Sequence, residues 1–335
     1  MQRLLTCLSS VFSILVVCLG LVLSTMRPVQ AYPAYAQAAY DNPREATGKI
    51  VCANCHLAQM PTVVEVPQAV TPGQVFNLKV KIPYDHSLQE VYSDGSLGGL
   101  GVGAVVVLPE GFRLATEEEM SEQQREETAE TYISEYSDTK PNILVVGPIP
   151  GDEHPEILFP IKVPDPAEDP SVHFLKYSIH VGANRGRGQL NPDGSLSNNN
   201  QFRSPYSGLV TEITTLEDPS TVSPDLPYAT LVNEESMPGT RIVTISTESG
   251  SQYVAIPPGP QLTIAVGSSV KADAPLTNNP NVGGFGQVDR EIVLQSPTRI
   301  KWLLAFLGAI FFAQLMLVLK KKQVEQLQAA EALGL

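Results

Sequence analysis

The sequence predicts a mainly β chain, with a sandwich followed by a smaller β unit and closed by one membrane-crossing helix. Three observations carry that expectation. Short apolar runs closed by Pro or Gly recur from residue 75 onward. The 28 prolines and 25 glycines are spread along all 335 residues, which suits many short strands joined by turns. One late apolar run, Trp302 to Leu319, is long enough to cross a bilayer.

The chain opens with Arg3, an apolar stretch from Leu4 to Leu23, and small or short residues at Val29 and Ala31. That pattern reads as a signal peptide, residues 1–31, cut ahead of Tyr32. Cuts after Ala34 or Ala36, or a retained anchor, are the alternatives. In "QVFNLKVKIPY", Phe76, Leu78, Val80 and Ile82 alternate with Asn77, Lys79 and Lys81, a half-buried strand. "GAVVVLPEGF", "NILVVGPIPG" and "EILFPIKVP" are further strands, and in "LKYSIHV" Leu175, Tyr177, Ile179 and Val181 share a face. Several strands at short spacing predict a sandwich.

One helix interrupts them. Thr116 with Glu119 forms a capping box, so the acidic segment to Tyr132 reads as a solvated surface helix starting there. "SNNNQF" and the stretch to Pro227 read as a boundary. "RIVTIST", "SQYVAIPPGP" and "QLTIAVGSSV" then give a second, barrel-like β unit, and "EIVLQ" a last strand. Trp302 to Leu319 spans roughly 27 Å as a helix. Trp302 marks one interface, and Lys320 to Lys322 cap the cytoplasmic side. A tail follows from Gln323.

Between Tyr32 and Arg299 there are 16 basic and 33 acidic residues, a net charge of −17. Nucleic acid and anionic membrane surfaces are excluded as partners of this region. Cys7 and Cys18 leave with the signal, so the mature chain keeps only Cys52 and Cys55.

Those two cysteines stand in Cys52-Ala53-Asn54-Cys55-His56. Cys-x-x-Cys-His is the attachment pattern of a c-type haem. The thiols add to the two vinyl groups, and the adjacent His56 is the axial ligand. A thioredoxin-like pair needs a βαβ setting, which the strand pattern lacks. Zinc needs more ligands, and His86, His154, His173 and His180 are scattered. "GGLGVGA" precedes a strand rather than a helix, so it reads as a turn and close strand packing, not a dinucleotide site. For the sixth iron position, Met60 lies too near His56 to reach the opposite face. Spacing selects neither Met120 nor Met237.

The motifs "YPAYAQ", "PREATGKIVCANCHLA", "VGAVVVLPEGF", "NILVVGPIPG", "HVGANRGRGQLNPDGS", "PLTNNPNVGGFGQ", "EIVLQ" and "KKKQ" follow one another in order from Tyr32 to Gln323. Together they resemble the cytochrome f family, haem subunits of the photosynthetic cytochrome b6f complex. The resemblance implies an elongated β-sandwich carrying the haem (residues 32–199 and 278–298) and a small inserted β domain (200–277). It implies a transmembrane helix (299–319) and a stromal or cytoplasmic tail (320–335). It implies covalent haem on Cys52 and Cys55, with His56 and the α-amino nitrogen of Tyr32 as axial ligands. Pro33 and Tyr35 would shield the haem edge, or else form an N-terminal strand. Asn184, Gln189 and Asn199 match the lining of a buried water chain, whereas Glu90 stands where a glutamine is usual.

By the same resemblance the chain is not an enzyme in itself. It is an electron carrier in the thylakoid membrane, with its bulk in the lumen. It takes an electron from the Rieske iron–sulfur protein and passes it to plastocyanin or cytochrome c6. Cytochrome b6, subunit IV and small subunits are its partners within the complex. Few lysines are present to form the basic ridge that plant members offer their acceptor. A haem enzyme with an open axial position, or a haem-free thiol module, are the rival readings.

Overall fold

The structure, a computed structural model, describes residues 33–233 and 236–333. The expected signal segment and Tyr32 fall outside them. One sheet pairs Val63–Glu65, Val75–Lys81, Glu156–Lys162 and Arg113–Leu114 in that order, all antiparallel. A second runs Ala69–Val70, Gly284–Leu294, Lys176–Arg185, Gly101–Val107, Ile143–Pro150 and Ile133–Glu135. Phe76, Leu78 and Val80 of the first sheet share one core with Val106, Leu144, Val181 and Ile292 of the second. The two sheets therefore form the predicted sandwich, and the period-two reading of residues 76–82 holds.

The six-stranded sheet is covered on both faces. Val102, Ala104 and Val106 point into the sandwich core. Val105 points the other way, into a cluster of Ile50, Tyr136, Ile143, Val145 and Phe285. Alternation along a strand forces that division. The second cluster is the floor on which the Cys52 segment sits, since Cys52 and Ala53 pack against it. Gly103 shows how tight the sheet is: a Cβ there would come within 2.9 Å of Asn184 Oδ1 and 3.0 Å of the Val146 carbonyl. "GGLGVGA" is thus close strand packing, as its context indicated.

A separate sheet pairs Gly250–Ile256, Thr240–Thr247, Gly208–Leu216 and Ser269–Val270 around Val210, Val243, Ile245 and Leu276. The strand expected across residues 261–270 is mostly absent. A turn at Ala265–Ser268, with Gly267 at φ +91°, breaks it. Only Ser269–Val270 pairs as a strand, and Leu262 makes a single bridge to Thr277.

Three further expectations are corrected. The N-terminal segment is helix α1, Pro33–Ala39, not a strand. The surface helix, α2, spans Glu122–Thr128 with its capping box at Ser121 and Gln124. Thr116 does not cap it, because the Glu119 carboxylate is drawn to Arg113 at 2.8 Å and Lys162 at 3.2 Å while accepting the Thr116 N–H. Leu175 precedes its strand and is exposed.

Those bonds, the Arg113 guanidinium first, hold the Glu119 carboxyl well below the usual carboxylate range. A depressed carboxylate pKa stabilises the fold above its unfolded value and is lost as pH falls through the folded value. Glu119→Gln is therefore expected to lower stability at pH 7 by about 0.5–1.5 kcal/mol. The difference should shrink below about pH 4.5, as followed by urea denaturation at both pH values.

The last helix, α3, spans Pro297–Ala332, 36 residues, capped by Ser296 on the Arg299 N–H. It runs through Lys320–Lys322 into the tail, about 54 Å in all. That is longer than the roughly 30 Å hydrocarbon core, so the tail extends the span as helix.

Candidate haem site

Val51–Asn54 form one turn of 3₁₀ helix. The Cys55 and His56 N–H groups both donate to the Cys52 carbonyl, at 3.2 and 3.0 Å. That winding brings Cys52, Cys55 and His56 to the wall of a single cleft, about 240 Å³ in volume. The turn is fixed from outside. Gln189 accepts the Leu57 N–H at 2.7 Å through Oε1, and its own N–H donates to the Cys55 carbonyl at 2.7 Å. Gln287 accepts the Ile50 N–H at 3.0 Å.

Burial, then the nearby Arg185 charge, pulls the His56 imidazole down to about 4. The ring is neutral at physiological pH, the state a metal ligand needs. Its Nδ1 is buried without a hydrogen-bond partner among the described residues. Burial pushes the Cys52 thiol up to about 12 and the Cys55 thiol up as well. Neither cysteine is in a disulfide.

The cleft is walled by apolar side chains such as Val105, Val145 and Phe285 and by backbone that tolerates no side chain. Gly182 and Gly188 both line it. A Cβ on Gly188 would stand 3.2 Å from the Cys55 carbonyl oxygen, and one on Gly182 would clash with Phe285 at 2.5 Å. With two thiols and a neutral imidazole on the wall, the donor set is that of a c-type haem.

Of the residues singled out in the sequence, Cys52, Cys55, His56, Pro33, Tyr35 and Asn184 line the cleft. Gln189 and Asn199 do not; they lie behind its wall. Gln189 brackets the motif, and Asn199 donates to the Arg187 carbonyl at 2.9 Å, with its Oδ1 unpartnered among the described residues. Tyr32 lies outside the described residues, but Pro33 follows it directly and stands at the cleft. Met60, Met120 and Met237 are not among the lining residues, and neither is any histidine other than His56. His86 and His180 are instead paired with Asp152 and Asp289, at 2.9 and 2.8 Å.

"SNNNQF", read as a boundary, begins with buried residues, Ser197, Asn198 and Asn199. Asn198 Nδ2 donates to the carbonyls of Tyr92, at 2.7 Å, and Pro258, at 2.8 Å, joining the sandwich to the second β unit. Polar side chains are buried here because each finds backbone partners. Sequence reasoning also missed Arg187, Tyr136 and Phe285, all at the cleft. Arg187 and Phe285 lay inside quoted motifs, but nothing in their spacing marked a role.

Glu90 is 2 % exposed. Its carboxylate accepts the N–H groups of Gly101, at 3.0 Å, and Arg187, at 2.6 Å. Burial raises its pKa.

Two family models match: "Apocytochrome F, N-terminal" over residues 32–186 and "Apocytochrome F, C-terminal" over residues 198–333. Cytochrome f of Synechococcus sp. (strain JA-2-3B'a(2-13)) is 67% identical over 325 residues, covering 96% of this chain and 98% of its own. Cytochrome f of Synechococcus elongatus is 54% identical over 303 residues, 90% and 91% of the two chains. That of Parasynechococcus marenigrum (strain WH8102) is 55% identical over 302 residues, with the same coverage. The turn, the two thiols and the neutral imidazole thus occur within matches that cover nearly the whole chain, which belongs to the cytochrome f family.

Proposed function

We propose that the chain is the haem-bearing electron-transfer subunit of a cytochrome b6f complex, with Cys52 and Cys55 binding the haem covalently. His56 and the α-amino group of Tyr32 are its axial ligands. The observation that carries this reading is the convergence of Cys52, Cys55, a neutral His56 and the start of α1 on one cleft. The bound haem supplies a one-electron redox couple.

The chain's own residues do the rest. His56 is kept neutral by burial, and Pro33 and Tyr35 cover the cleft edge. Asn184, Gln189 and Asn199 line a chain of ordered water; the support for it is that His56 Nδ1 and Asn199 Oδ1 are buried without a partner among the described residues, as groups bonded to water are. An α-amine has a pKa of about 7.7–8.0, low enough to offer a neutral nitrogen. Before signal cleavage that nitrogen is an amide and cannot bind, so cleavage after Ala31 completes the site.

The separate core around Val210 and Val243 supports a small domain at 200–277 inserted in a large one, 32–199 with 278–298. The apolar stretch Trp302 to Leu319 of α3, long enough to cross a membrane, supports a single thylakoid span, and Lys320 to Lys322 after it support a cytoplasmic or stromal tail with the bulk in the lumen. The electron comes from the Rieske protein and leaves to plastocyanin or cytochrome c6. Cytochrome b6 and subunit IV pack around the span.

The test is N-terminal sequencing, intact mass and an optical spectrum on one mature sample. A start at Tyr32, one added haem and a low-spin six-coordinate spectrum are expected. A displaced start with the same spectrum overturns amine ligation, and a five-coordinate spectrum favours a haem enzyme. A variant whose signal cannot be cut is expected to lose the low-spin spectrum. Docking of the acceptor uses the exposed apolar edge that includes Tyr35 and Leu57. Stopped-flow transfer rates should therefore fall only gently with salt, and a steep fall would mean that charge governs the encounter.

A further inference from the structure

Helix α1 has no buried residue and only seven residues, rich in alanine, too short to be stable alone. It therefore depends on ties to the rest of the chain. The Tyr136 hydroxyl provides the main one: it lies 2.7 Å from the Ala36 carbonyl and 2.6 Å from the Tyr40 carbonyl, sharing one proton between them. Gln37 returns a bond, its Nε2 donating to the Tyr136 carbonyl at 2.9 Å. Tyr40 reaches the haem motif itself, accepting from Asn54 Nδ2 at 3.1 Å through its hydroxyl. The Tyr136 ring is 4 % exposed and packs with Val105, Ile143 and Phe285. Burial raises its hydroxyl to about 12, so it remains a donor.

We infer that Tyr136 is the positioning residue of the N-terminal arm, its hydroxyl holding α1 over the cleft so that the residue 32 amine stays on the iron. The inference rests on the amine-ligation reading above.

The experiment uses the mature haem-loaded chain with Tyr136→Phe, which keeps the packed ring and removes only the hydroxyl. Imidazole is the probe, because it can bind only after the amine has left. Loss of one such bond is expected to raise the imidazole binding rate about fivefold to tenfold. Amide exchange in residues 36–41 should quicken with it. Gln37→Ala, at the surface, should give a smaller rise. Tyr177→Phe, whose hydroxyl bonds the His173 backbone far from the cleft motif, should give none. Faster exchange with an unchanged imidazole rate overturns the inference, as does a wild-type value for both. N-terminal sequencing of the same sample separates the two readings. A start other than Tyr32 removes amine ligation and the inference together. A start at Tyr32 with unchanged rates removes the inference alone.

Discussion

Cys52→Ala/Cys55→Ala is expected to leave no haem stain on the chain after denaturing electrophoresis, whereas either single variant keeps a stain through its remaining thiol. Without the thiols, only neutral His56, the Tyr32 amine and apolar contacts such as Val105 and Phe285 remain to hold a cofactor. None of these survives unfolding. Intact mass is the second readout: the double variant should run at the mass of the bare mature chain. His56→Ala separates attachment from ligation, keeping the stain while losing the low-spin spectrum. A stain that persists in the double variant would remove the thioether assignment.

Glu90→Leu is expected to destabilise the fold by about 2–6 kcal/mol. The change strips the acceptor from two N–H groups, those of Gly101 and Arg187, in a site where Glu90 is 2 % exposed. Each buried orphan costs about 1–3 kcal/mol. The Arg187 guanidinium keeps its bonds to the Val91 carbonyl and Asn198 Oδ1 but loses the neighbouring carboxylate charge, which adds to the cost of the two backbone groups.

The pH dependence has a definite sign. Burial raises the Glu90 carboxyl above 4.5, its ordinary value. The folded chain then holds a proton that the unfolded chain has released. Stability therefore falls as pH rises from about 4.5 through the folded value, and Glu90→Leu should abolish that component of the slope. Urea midpoints across that range check both parts. A penalty below about 1 kcal/mol would show that the two N–H groups find other partners.

The strands at Val75–Lys81, Gly101–Val107 and Glu156–Lys162 were legible because sheet alternation and Pro and Gly breaks are local signals. The Cys52–His56 pattern was legible for the same reason: haem attachment is set by a spacing of five residues. The start of α2 was misplaced because Glu119 answers to Arg113 and Lys162, partners that local capping rules do not contain. The burial of "SNNNQF" at the boundary was not legible for a similar reason, since its amide N–H groups are satisfied by the distant carbonyls of Tyr92, Arg187 and Pro258.

The sequence by itself determined the strand periodicity, the apolar run that becomes α3, the haem motif and, through its ordered motifs, the family. Each is written in neighbouring residues or in their order along the chain. Only the tertiary structure decided what surrounds the motif: Gln189 bracketing the turn, Glu90 buried against Arg187, and Tyr136 tied to the arm from about 100 residues away. These contacts depend on which distant carbonyls and N–H groups the folded sheets bring within about 3 Å.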